Sequence, residues 1–143
     1  MYQNNKSLVF AGTKVSDIIL GNPYFILMLE HFGIGLELHE KTVEQVCAEN
    51  NIGMELFETI ANLFNGYTPS GTTEYSYDDI KTIIGYLKSS HQYYLIEKYP
   101  EIRACIKKMF EVNDQAEILM VERFFAEYFK EVKEHLDYEN EVV

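Results

Sequence analysis

Two histidines and one glutamate are the residues of this chain whose types and spacing best suit chemistry. His135 and Glu139 lie four residues apart in "EHLDYENEVV", and residues four apart on a helix are stacked on one face. His91, in "SSHQYYLIEKYPEI", falls on the apolar stripe of an earlier expected helix. With a hairpin turn near Asn113, His91 is 22 residues before the turn and His135 is 22 residues after it. At about 1.5 Å rise per residue, both then stand roughly 33 Å from the turn, at one height on antiparallel helices. Neutral imidazole and carboxylate together suit iron, manganese or zinc. A carboxylate on a core stripe is costly unless it is paired, hydrogen-bonded or metal-bound. The plainer reading of the same residues is a satisfied core histidine and a helix-surface His135–Glu139 pair.

The elements that must position these residues can be read from breakers, caps and periodicity. The polar, breaker-rich stretch "NGYTPSGTTEYS", residues 65–76, divides the chain. The expected organisation is a small helical domain over residues 1–66, a linker over 67–76 and a helical hairpin over 77–143. In the first part about four short helices are expected, with breaks at Gly21–Asn22, Gly33–Gly35 and Asn50–Gly53. Ser16 suits a cap, Pro23 suits a helix start, and "TVEQ" from Thr42 fits a capping box. In the second part Ser76 with Asp79 can cap a long helix whose stripe reads Ile80, Ile84, Leu87, His91, Tyr94 or Leu95, then Ile102, Ile106 and Met109. Pro100 is expected to kink it. Asp114 with Glu117 is a second capping signal. After it Ile118, Val121, Phe125, Tyr128, Val132, His135, Glu139 and Val142 form a heptad stripe, the seam of a bundle. The fold class is all-α.

Composition limits the partners. The 143 residues hold 12 Lys and Arg against 23 Asp and Glu, a net charge of −11. The acidity is divided evenly between residues 1–66, at −5, and the remainder, at −6, and both halves would repel phosphate backbones and anionic membranes. "TVEQVCAENNIGMELFETIANL" has a helix-turn-helix outline, but its second helix carries Glu55 and Glu58 and no Lys or Arg. Nucleic acid is therefore not an expected partner. No apolar run approaches a membrane span and the first residues lack a secretory pattern, so a cytoplasmic protein is expected. Cys47 and Cys105 lack metal or disulfide spacing, and both are expected to be buried thiols. No nucleophile with its base and no glycine-rich phosphate loop is present.

The hairpin segments "SSHQYYLIEKYPEI" and "EHLDYENEVV" resemble the first half of a hemerythrin-like bundle. There the first helix carries a histidine followed by tyrosine, and the second carries HxxxE. Upstream, "VSDIILGNPYFILMLEHFGIGLELHEKTVEQVCAENNI" resembles the small domain preceding such a bundle in the repair-of-iron-centres (RIC) family. The resemblance implies non-haem iron as cofactor, with His91 and His135 as terminal ligands and Glu139 as a bridging carboxylate. It also implies a role in iron-sulfur repair, or in oxygen or nitric oxide sensing or stress response. Where that family usually carries adjacent cysteines, this chain has Glu37 and Leu38, which puts thiol chemistry there in doubt.

A complete di-iron site in that family takes further ligands from a third and a fourth helix. Acids at Asp137, Glu139 and Glu141 oppose the helix dipole, and the stripe runs to Val142 without a terminator, so the helix reads as interrupted and the chain as part of a longer bundle. Such a piece is not expected to be a competent enzyme. An open apolar seam should find another hairpin, so a homodimer is expected, one that could bring two half-sites together. The competing reading is a metal-free interaction module, in which the hairpin only dimerises and the N-terminal domain binds a protein partner. Among other residues, His39 with Glu37 and Glu40 suits a weak metal site or a solvated loop. His31 reads as a helix C-terminal histidine. Tyr94 and Tyr128 suit a redox role or ordinary packing.

Overall fold

Capping chemistry starts two of the helices where expected. The structure is a computed structural model that describes residues 6–112 and 116–142. Its helices are α1 (Val15–Gly21), α2 (Phe25–His31), α3 (Val43–Asn50), α4 (Met54–Phe64), α5 (Tyr77–Tyr93), α6 (Tyr99–Val112) and α7 (Ala116–Val142), with a π turn over Tyr94–Lys98 between α5 and α6. The protein is all-α. Before α3 the Thr42 hydroxyl accepts from the Gln45 N–H while the Thr42 N–H donates to the Gln45 side chain, a complete capping box. Asn51, in the left-handed region at φ 54°, ends the helix. Before α5 the Asp79 N–H donates to the Ser76 hydroxyl at 3.1 Å, and the Ser76 N–H donates back to the Asp79 carboxylate at 2.9 Å. The expected cap at Ser16 is not formed, because α1 starts two residues earlier than that cap would set it, after Lys14. The turn expected near Asn113 and the cap expected at Asp114 lie outside the described residues.

Two compact units divide between Tyr86 and Leu87, inside α5. The first unit closes around Phe25, Met28, Leu29, Val43, Val46 and Phe57, all essentially without exposure. Phe25 meets Phe57 edge-on at 6.3 Å and Phe64 at 6.2 Å, an arrangement that aromatic quadrupoles favour. Side-chain amides clamp the leading segment onto α4. Val9 N–H donates to Asn62 Oδ1, and Asn62 Nδ2 returns a bond to the Val9 carbonyl. Buried Asn22 and Asn65 bond to each other at 2.9 Å. Tyr86 explains why the division falls within α5. Its ring packs on Phe32 at 4.6 Å and edge-on to His31 at 5.5 Å, joining the first turns of α5 to this core.

The second unit is built differently. From Leu87 onward it holds the end of α5, the π turn, α6 and α7. Tyr99 at the start of α6 packs on Phe125, Tyr128 and Phe129 of α7, the last at 4.8 Å. The wide turn just before Pro100 takes up the residue that would otherwise crowd the proline ring against the preceding turn. It also keeps a face in phase across the break. Leu87, Tyr94, Ile102 and Met109 recur at spacings of seven, eight and seven, the longer step spanning the π turn.

Only part of the expected α7 stripe is covered. Ile118, Phe125, Phe129, Val132 and Leu136 are half-buried, whereas Val121, Tyr128, His135 and Val142 of the expected stripe are exposed. A single neighbouring helix covers one narrow strip, and the flank of the heptad stripe stays open. The expectation of two buried thiols holds for Cys47, whose burial pushes its pKa up to about 11. It fails for Cys105, which is exposed because the next residue, Ile106, takes the covered face of α6.

Candidate functional site

The last turn of α5 carries His91, and the last two turns of α7 carry His135, Glu139 and Asn140. Apolar periodicity on both helices turns these polar groups toward one seam. His91 Nε2 stands 3.4 Å from Glu139 Oε2, and His135 Nε2 stands 3.0 Å from Glu139 Oε1. The carboxylate thus lies between two imidazoles, one on each oxygen. On its other nitrogen, His91 Nδ1 is 3.1 Å from Asn140 Oδ1. Burial grades across the cluster: the His91 side chain is 10% exposed, Glu139 42% and His135 68%.

Equal height did not decide which residues meet. Every Cα–Cβ bond leans toward its own helix N-terminus. On antiparallel helices, side chains at one height therefore lean apart. His91 meets residues one turn beyond His135, namely Glu139 and Asn140. Asn140 was missed in the sequence; the lean is one signal toward it, and the π turn between α5 and α6 also enters.

The donors fit a metal ion in part. Bonds of about 2.0–2.2 Å from one metal to an imidazole nitrogen and a carboxylate oxygen leave those atoms about 3.0 Å apart at a right angle and about 3.4 Å apart at a tetrahedral angle. Both nitrogen–oxygen separations match such pairs. Because the two imidazoles use different oxygens of Glu139, each half has one nitrogen and one oxygen and needs donors from elsewhere. Among the described residues, no group of three or more His, Cys, Asp or Glu side chains is arranged to hold one metal ion.

The His91 contacts also constrain protons. With the amide oriented as in the structure, Nδ1–H donates to Asn140 Oδ1, and the Nε2 lone pair faces a carboxylate oxygen. A cation between them, a proton or a metal ion, would relieve that opposition. With the amide reversed, Asn140 donates to Nδ1 and Nε2–H donates to Glu139, and no cation is required.

The remaining candidates are placed elsewhere. His31 is buried at the end of α2, and desolvation lowers its pKa against a smaller upward pull from Glu30. His39 occupies an exposed turn at φ 45°, and the neighbouring Glu40 is taken by an ion pair with Lys14. Glu37 lies on the same exposed loop. Tyr94 and Tyr128 belong to an aromatic cluster around Tyr99, whose phenol is shifted up first by burial and then by its hydrogen bond with Tyr128. Among the described residues no helix is long and apolar enough to cross a membrane. Comparison of the chain with protein-family models, curated proteins and solved structures gives no match.

Proposed function

We propose that this is a hemerythrin-like non-haem iron-binding protein whose hairpin carries half of a di-iron site. The observation that supports the reading is the Glu139 carboxylate held between His91 and His135, with Asn140 on the far nitrogen of His91. Each imidazole–oxygen pair would hold one iron, with Glu139 shared. Asn140 would fix the His91 tautomer by accepting its Nδ1–H, the usual task of a group behind a metal-bound imidazole. Iron held there would supply binding of small diatomic molecules and one-electron chemistry, in keeping with iron-sulfur repair or with oxygen or nitric oxide stress response or sensing. The remaining donors would come from a second copy in a homodimer.

The test is iron per chain after anaerobic reconstitution with ferrous iron and passage through a sizing column. About one iron per chain on a dimer is the expected result, since twofold symmetry then supplies two irons to two half-sites. Replacing His135→Ala together with Glu139→Ala should abolish that iron and the near-ultraviolet absorption of a bridged pair. Near-zero iron on a clean dimer would sink the reading.

One observation favours a second reading, a metal-free dimerisation or regulatory module. Glu139 already matches an imidazole with each oxygen, and a reversed Asn140 completes the network with protons alone. On this reading the same double replacement leaves self-association intact or strengthens it, because polar groups that a second copy would cover are exchanged for apolar surface.

A further inference from the structure

We propose that a second copy of this chain covers the open face of the hairpin in one particular orientation. The two hairpins lie with their α6–α7 ends together, and each α7 packs against the arm formed by α5 and α6 of the other copy. The inference rests on the half-site reading for one of its two arguments, and on charge for the other.

The open face has two parallel strips. On α7, Val121, Phe124, Tyr128 and Tyr138 are 51%, 70%, 46% and 64% exposed. On the other arm, Leu87, Tyr94, Ile102 and Met109 are exposed along the one face that the π turn keeps in phase. In the up-down-up-down form of a four-helix bundle each helix runs antiparallel to its neighbours. Under that rule only two twofold arrangements exist. With the α6–α7 ends together, each α7 neighbours the opposite arm of the second copy. With those ends apart, each α7 neighbours the second copy's α7.

Charge chooses between them. Residues 116–142 carry three cations and eight acids, a net of −5. Residues 87–112 carry five cations and three acids, a net of +2. Setting α7 against α7 brings two strongly acidic helices together, whereas setting α7 against the opposite arm pairs unlike charge. The donor set makes the same choice independently. Each half-site offers one nitrogen and one oxygen per metal, and it lies far from the α6–α7 end. Only the arrangement with those ends together puts the two His91, His135 and Glu139 sets at one height, where each can complete the other.

Disulfide trapping in the full chain, without metal, reads the orientation. Cys105→Ser removes the exposed native thiol, and buried Cys47 stays unreactive. In that background Val121→Cys and Met109→Cys are made as separate proteins, oxidised alone and then mixed. A 121–109 disulfide in the mixture can form only between copies. Glu131→Cys, near the middle of α7, reports the opposite orientation by linking to itself. The expected result is a covalent dimer in the mixture that is absent from each single variant and from Glu131→Cys, with less trapping at high salt. Self-linking of Glu131→Cys without the mixed product overturns the orientation, as does a dimer in which neither pair links. A chain that sediments as a monomer at all accessible concentrations overturns the second copy as occupant. Iron content is measured separately, so failure of the metal reading leaves the trapping pattern intact and is recognised by it.

Discussion

The first unit and the hairpin carry similar proportions of large apolar side chains, yet they use them in opposite ways. In the first unit, Phe25 and Phe57 have no exposed surface and asparagine clamps close the ends. In the hairpin, Ile106 is the one buried apolar residue among those described, while Phe124, Met120 and Val112 stand largely in solvent. Four short helices share one buried cluster, whereas two long antiparallel helices share only a line of contact. The difference separates a finished core from a surface that still needs a neighbour.

The same truncation in the two regions should break that comparison most sharply if it is wrong. Phe57→Ala removes an interior ring and should destabilise the first unit by about 3–5 kcal/mol, measured by urea unfolding. Thr42→Ala dismantles the capping box of α3 and should lower stability by about 1 kcal/mol in the same measurement. Phe124→Ala should change the stability of the dilute chain by less than about 0.5 kcal/mol, and weaken self-association measured by sedimentation. A loss as large as that of Phe57→Ala at low concentration would mean the outer face of α7 is already covered within one chain.

Acidity gives a subtler contrast. Burial lowers the His31 pKa, so the unfolded chain takes up that proton first. This group leaves stability unchanged above the ordinary histidine range, and the first unit loses stability as pH falls through about 6.5 toward the lower folded value. His31→Gln should flatten that part of the pH profile of thermal unfolding. An unchanged slope would show that the imidazole is not desolvated against Tyr86.

Much of the helical order was legible because it rests on neighbours in sequence. The Thr42–Gln45 and Ser76–Asp79 boxes need four residues each, and the breaks at Gly33–Gly35 and Asn50–Gly53 need only glycine and asparagine. The misses share one cause. Ser16 was a plausible cap, but the helix starts two residues earlier, with Val15 fully buried in its first turn. Cys105 has a buried-type side chain but sits beside the residue that faces α7. Tyr86, inside the expected hairpin, belongs to the other core.

The candidate site divides along the same line. The i, i+4 spacing of His135 and Glu139 is a property of one helix, so their 3.0 Å contact was determined by the sequence alone. The union of His91 with Glu139 and Asn140 was decided only by the tertiary structure. It depends on how two helices lean, on a π turn whose width no local pattern announces, and on which half of a heptad stripe a single neighbour can cover. Local spacing sets what one helix presents; the lean and packing of two helices set what meets.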